Sequence, residues 1–181
     1  FLAGLIAFVV FYLTVEPTAS YWDCAEYIST SAKLQIGHPP GAPLFQMLGA
    51  IFSIFAFDVE QIAFTVNMMS VTSSALTIIF LFWSISLITK KILGIGDMLK
   101  KDEFLKVFGS SFIGALTFTF TDSFWFNAVE AEVYAMATLI LSVLFWLGLK
   151  WESEFDSDRS DRWLILISFV IGLSFGVHFM G

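Results

Sequence analysis

From Gln61 to Ile88 the chain carries no Asp, Glu, Lys or Arg, and such a run exceeds the roughly 20 helical residues that cross a hydrocarbon core about 30 Å thick. In lipid every backbone polar group must be satisfied within its own segment, so the run predicts a transmembrane α-helix. Further apolar stretches fall at 104–121, 131–149 and 163–180, and residues 1–15 read as the remainder of a first span. The expectation is an all-α integral membrane protein with five spans. Hydrophobic residues make up 57% of the sequence and charged ones only 14%, against about 25% charged in an ordinary soluble domain. A single soluble core is thereby excluded. Both ends interrupt apolar runs, which predicts the N-terminal portion of one domain in a longer polypeptide; the run at 1–15 lacks the cleavage pattern of a signal peptide. Cys24 is the only cysteine, so there is no internal disulfide and no metal-binding spacing.

The stretch 42–57 is ambiguous by length, since 16 residues reach about 24 Å at ~1.5 Å per residue. Charge favours a helix that does not cross. Basic residues in short loops stay cytoplasmic, and if 42–57 stays on one side, the loops at 89–106 and 150–162 share a face with eight of the nine basic residues. Glu16, Asp23, Glu26, Asp58, Glu60, Asp122, Glu130 and Glu132 then lie on the opposite face with Lys33 alone, and the formal charge of −7 belongs entirely to that face. Interfacial helices are expected at 21–35 and 42–57, the second opened by Pro43, which suits a first helical turn.

Three segments on the acidic face carry residues able to do chemistry. Asp23, Glu26, Tyr27 and Thr30 have the spacing of one helical face, and a carboxylate there could deprotonate a hydroxyl or hold a metal ion. The competing account is structural: Ser20 followed three residues later by Asp23 resembles a capping box. In His38-Pro39-Pro40-Gly41-Ala42-Pro43, the prolines hold His38 in a fixed, non-helical position, where an imidazole could contact phosphate or move a proton. A plain proline-rich connector is the alternative. Asp122 to Tyr134 forms an acidic and aromatic patch around Glu130 and Glu132; its aromatic residues also fit an ordinary interfacial belt. The Ser/Thr-rich run from Thr65 to Thr77 reads as helix-packing surface. No P-loop, GxSxG, HExxH, CxxC or dinucleotide-binding motif is present, so the soluble-enzyme chemistries those motifs mark have no support.

Taken together, Pro17-Thr18-Ala19-Ser20-Tyr21-Trp22-Asp23-Cys24-Ala25-Glu26, Lys33-Leu34-Gln35, His38-Pro39-Pro40-Gly41-Ala42-Pro43-Leu44, Glu130-Ala131-Glu132-Val133-Tyr134 and Val177-His178-Phe179-Met180-Gly181 resemble the N-terminal part of GT-C membrane glycosyltransferases. The closer resemblance is to a bacterial family of undefined function related to animal protein O-mannosyltransferases. The resemblance implies a GT-C-like multi-span bundle with outer juxtamembrane helices. It also implies transfer of a hexose such as mannose from a polyprenyl-phosphate donor to a protein Ser or Thr hydroxyl, at the extracytoplasmic face of a bacterial inner membrane. By position it makes Asp23 the catalytic base or an acceptor-orienting acid, with Glu26, Glu130 and Glu132 supporting it. His38 would face the donor phosphate, and Lys33, Tyr27, Glu130, Glu132, Tyr134 and His178 would help bind substrate. No cofactor is implied, a divalent metal held by the acids being the open alternative. The expected partners are the lipid-linked sugar, an acceptor protein and the bilayer; nucleic acid is not among them.

Two rival classes remain at this level. An ion-coupled transporter needs ionisable residues inside its spans, and here the acids fall at their ends. A non-catalytic subunit of an envelope complex differs from the enzyme only in activity.

Overall fold

The computed structural model describes residues 1–96, 99–157 and 160–178. It is all-helical: α1 (Leu2–Thr14), α2 (Cys24–Lys33), α3 (Pro43–Ser53), a 3-10 turn at Val59–Gln61, α4 (Ile62–Ile92), α5 (Lys101–Thr119), α6 (Asp122–Ala128), α7 (Val133–Ser153) and α8 (Ser160–Ser174). No strand occurs among the described residues. The long helix α4 runs through the middle of the bundle, with α1, α3, α5 and α7 packed along it and α8 against α7.

Among the described residues two segments are long and apolar enough to cross a membrane, Val59–Ile92 and Val133–Ser153. A third exists if α5 and α6, which meet at a bend of 70°, are taken as one. The remaining expected spans, the remainder at 1–15 and the stretch at 163–180, correspond to shorter helices. With 13 and 15 residues, α1 and α8 reach about 20 and 22 Å at ~1.5 Å per residue. The reason α8 stops short of the expected 180 lies at Gly176. Its carbonyl accepts the Leu44 N–H at 2.7 Å, and a Cβ there would stand 2.8 Å from Leu44 Cβ. The chain thus leaves the helix to dock on the start of α3. Phe179, Met180 and Gly181 lie outside the described residues.

Helix α3 spans 11 residues, about 16 Å, and is shorter than the expected 42–57; α2 is likewise trimmed from 21–35. At the start of α5, the Glu103 carboxylate accepts the Lys100 N–H at 2.8 Å, which fixes that helix three residues ahead of the expected 104.

The bundle has chemically different ends. Asn67, near the start of α4, touches the segments holding Glu16 and Ala131, whereas Lys91, near its end, pairs with Glu152 at the end of α7. Twenty-four residues separate Asn67 from Lys91, about 36 Å of helix. Two apolar clusters fill the space between. One, at the acidic end, joins Tyr27, Phe45, Val66, Met69, Val133 and Val177. The other joins α1 to α4, α5 and α6 through Ala7, Phe11, Val71, Ile78, Ala115 and Phe124.

Candidate active site

The site is assembled from two loops clipped to one side chain. Asn67 is fully buried. Its Nδ2 donates to the Glu16 carbonyl at 2.6 Å and the Thr18 carbonyl at 2.9 Å, while Oδ1 accepts the Ala131 N–H at 2.9 Å. The loop after α1 and the loop before α7 are thereby held side by side. The Glu16 N–H reaches the Val129 carbonyl at 3.0 Å, and the Ser20 hydroxyl donates to Glu130.

That last bond replaces the capping box. Asp23 occupies the N-cap of α2 but makes no side-chain cap bond, and Ser20 is committed to Glu130 instead. The residue before it, Trp22, is held at φ 62°, a left-handed conformation unusual for a bulky side chain. The Asp23 carboxylate is left facing His38, with Oδ2 3.8 Å from Nε2. One turn along α2, both oxygens of Glu26 hold the same histidine. Oε1 accepts the His38 backbone N–H at 2.6 Å and Oε2 lies 3.0 Å from Nδ1. Gly37 makes room for this grip, since a Cβ on it would fall 2.9 Å from the Gln46 side-chain amide and 3.1 Å from Glu26 Oε1. With its oxygen turned toward the loop, the Gln46 amide accepts the Gly37 N–H at 3.1 Å and ties the loop to α3.

Glu26 raises the affinity of the His38 imidazole for its proton, chiefly through their side-chain hydrogen bond. The two hydrogen bonds from His38, backbone first, lower the Glu26 carboxyl in return. Of the expected helical face, Tyr27 and Thr30 turn inward and are buried, whereas Asp23 is exposed and Glu26 half-buried. The Tyr27 ring packs on Phe45 at 5.1 Å between centroids. Burial, then the charges of Glu132, Asp23 and Glu26, push its phenol up to about 12.

Glu132 completes the site from the start of α7. Only 5% of it is exposed, and its Oε1 has no hydrogen-bond partner among the described residues. Burial, followed by the charge of Asp23, raises its carboxyl from 4.5 to about 7. Glu130 is also buried, and burial raises it too, against the bond from Ser20. Tyr134 and His178 pair at 5.7 Å between ring centroids beside a small groove between α7 and α8. Lys33 lies in the last turn of α2, ten residues or about 15 Å along the axis from Asp23, and is not brought to the cluster.

The Glu132 shift has a sign that stability measurements read. A carboxyl raised on folding favours the protonated native state, so its contribution is full below 4.5 and is lost as pH climbs through about 7. The melting temperature of the full-length protein should fall between pH 5 and 8, and Glu132→Gln should flatten that part of the curve. An identical pH dependence in the variant would contradict the burial of this acid.

The model of the family described as "Protein O-mannosyl-transferase TMEM260 N-terminal domain" matches residues 23–181. The chain belongs to that family. Relatives of the TMEM260 kind include "Protein O-mannosyl-transferase tmem260" of Dictyostelium discoideum, 25% identical over 155 residues, covering 83% of this chain and 17% of the relative. "Protein O-mannosyl-transferase TMEM260" of Mus musculus is 24% identical over 165 residues, covering 91% of this chain and 21% of the relative. The chain thus spans about a fifth of the length of the curated relatives it matches. No solved structure matches it.

Proposed function

We propose that this TMEM260-family domain carries the catalytic carboxylate and donor-phosphate contact of a GT-C glycosyltransferase, which moves mannose from a polyprenyl-phosphate to a protein hydroxyl. The observation that carries the reading is the Asp23, His38 and Glu26 constellation. It sets an exposed carboxylate, free of any capping duty, 3.8 Å from an imidazole gripped by a second carboxylate.

The chemistry is one inverting displacement. Asp23 takes the proton of the acceptor hydroxyl as its oxygen attacks the anomeric carbon, the bond from that carbon to the phosphate oxygen breaks, and the lipid phosphate leaves with the bonding pair. His38, whose hold on its proton Glu26 strengthens, donates to the phosphate as charge builds on it. The apolar cavity of about 290 Å³ bordered by Leu44, Leu48, Met69, Met136, Val170 and Leu173 suits the isoprenoid tail. Sidedness follows from charge: the basic end is cytoplasmic, and the acidic end faces away, into the periplasm of a bacterial cell.

A divalent cation has partial support in the donor set, because Asp23, Glu26 and His38 each present a ligand atom within 4.8 Å of the others. Glu26, however, already spends both oxygens on His38, and Glu130 bonds Ser20. Asp23 and His38 Nε2 would remain to hold an ion, whose role would be to neutralise the donor phosphate. We favour transfer without metal, His38 and basic residues elsewhere in the full-length protein supplying the positive charge. Membranes holding the full-length protein should transfer mannose to an acceptor protein from polyprenyl-phosphate-mannose, and chelation should not reduce the rate. Transfer from a nucleotide sugar alone would overturn the donor; loss in chelator with rescue by magnesium, manganese or calcium would overturn the metal-free mechanism.

A further inference from the structure

The chain crosses the site pinned on both sides of Trp22. Ser20 is bonded to Glu130, and the fully buried Cys24 sets its thiol 3.8 Å from Asn67 Oδ1. Both anchors belong to α4 and the loop before α7, so the segment between them is fixed from within the bundle. There Trp22 takes the left-handed conformation, φ 62°, which crowds the Cβ of any residue but glycine. Its side chain is 87% exposed. The other five of the six tryptophans each pack on another aromatic ring, whereas Trp22 has no ring or cation partner among the described residues. Backbone held in a sparsely populated region persists only where its surroundings enforce it, and such residues gather at functional sites. A membrane anchor needs depth, not a particular φ. Tyr21, equally exposed and outside the left-handed region, serves an aromatic belt without strain.

We infer that Trp22 is the surface on which the hexose ring of the donor stacks, an inference that rests on the glycosyltransferase reading above. That reading gives the acceptor hydroxyl to Asp23 and the phosphate to His38, and it leaves the sugar ring between them without a contact. Trp22 directly precedes Asp23, so its ring is the flat neutral surface at the base. A pyranose presents a face of C–H bonds with hydroxyls around its rim. The face of an indole carries negative charge density, which attracts those polarised C–H groups and repels a phosphate. The strained backbone then has a use, since it fixes the indole relative to the carboxylate that follows it.

Full-length protein in detergent, which removes any bilayer for a ring to anchor in, is assayed with short-chain polyprenyl-phosphate-mannose and an acceptor protein. Polyprenyl phosphate of the same chain, without sugar, is the competitor. Trp22→Gly removes the ring and the strain together, so it should melt close to wild type. It should raise the KM for the mannosyl donor by roughly three- to tenfold, the weight of one aromatic stacking contact. The inhibition constant of the sugar-free lipid and the KM for acceptor should stay as in wild type. Trp22→Phe should recover most of the loss, and Tyr21→Leu should cause none. Equal weakening of donor and sugar-free lipid overturns the proposal in favour of a lipid or phosphate contact, and a rise confined to the acceptor KM overturns it in favour of an acceptor surface. Donor KM unchanged in Trp22→Gly, or raised as much by Tyr21→Leu, overturns it as well. A wild-type protein that transfers nothing from this donor fails the glycosyltransferase reading and the inference with it, whereas wild-type transfer with unaltered Trp22→Gly kinetics fails the inference alone.

Discussion

Asn67→Ala is expected to cost the full-length protein about 3 kcal/mol or more in stability and to disorganise the acidic end of the bundle. The size follows from counting what the amide satisfies. A buried N–H or carbonyl left without a partner costs about 1–3 kcal/mol. Asn67 serves the buried Ala131 N–H together with two carbonyls, those of Glu16 and Thr18. Shape and hydrogen bonding separate cleanly here. Asn67→Leu keeps the volume but abandons all three backbone groups, while Asn67→Asp keeps the acceptor and turns a negative oxygen toward two carbonyls. Both should melt well below wild type and lose transfer, because the loop before α7 carries Glu132 and the loop after α1 leads into Asp23. A leucine variant that matches wild type in melting temperature and activity would show that Asn67 only fills space.

Asn67 also marks where reading the sequence fell short. It sits in a stretch of α4 dense in Ser and Thr, and small polar residues in an apolar helix are ordinarily packing surface. Ser70, Ser73, Ser74 and Thr77 are indeed buried along that helix. A lone carboxamide is different in kind, since it presents donors and an acceptor at once, but which loops it serves depends on pairings across about 50 and 64 residues. The Ser20 to Glu130 bond spans 110 residues and displaced a capping box that local spacing allowed. By contrast, α4 and α7 were legible because a run without charge leaves lipid-embedded helix as the economical solution. The meeting of Glu26 with His38 is legible afterwards in the intervening chain. Leu34 ends α2 in the left-handed region, Gly37 admits the close approach, and the His38 carbonyl accepts the Gly41 N–H at 2.9 Å, turning the proline segment back toward α2.

The second large effect is expected at Asp23, where Asn should leave folding near wild type and reduce sugar transfer by about 10²- to 10⁴-fold, the usual weight of a positioned general base. The stability half of that expectation rests on the missing cap. A side-chain N-cap contributes about 0.5–2 kcal/mol, but Asp23 makes no such bond, and its side chain is 54% exposed, so its removal belongs with surface substitutions that shift stability by less than about 0.5 kcal/mol. The activity half rests on position: of the three acids around His38, Asp23 is the exposed one, open to an acceptor hydroxyl. Glu26 is occupied by the histidine. Glu132 is the serious competitor, because a carboxyl raised to about 7 is better matched to proton transfer near neutral pH than an ordinary aspartate. It is also 95% withdrawn from solvent, and an extended acceptor segment would have to part Asp23 from the bundle to reach it. The two assignments give opposite results. With Asp23 as base, Asp23→Asn falls by orders of magnitude in kcat, while Glu132→Gln keeps most of its rate and changes chiefly the pH dependence. Transfer retained in Asp23→Asn and lost in Glu132→Gln would move the base to the start of α7 and leave Asp23 as the charge that raises it.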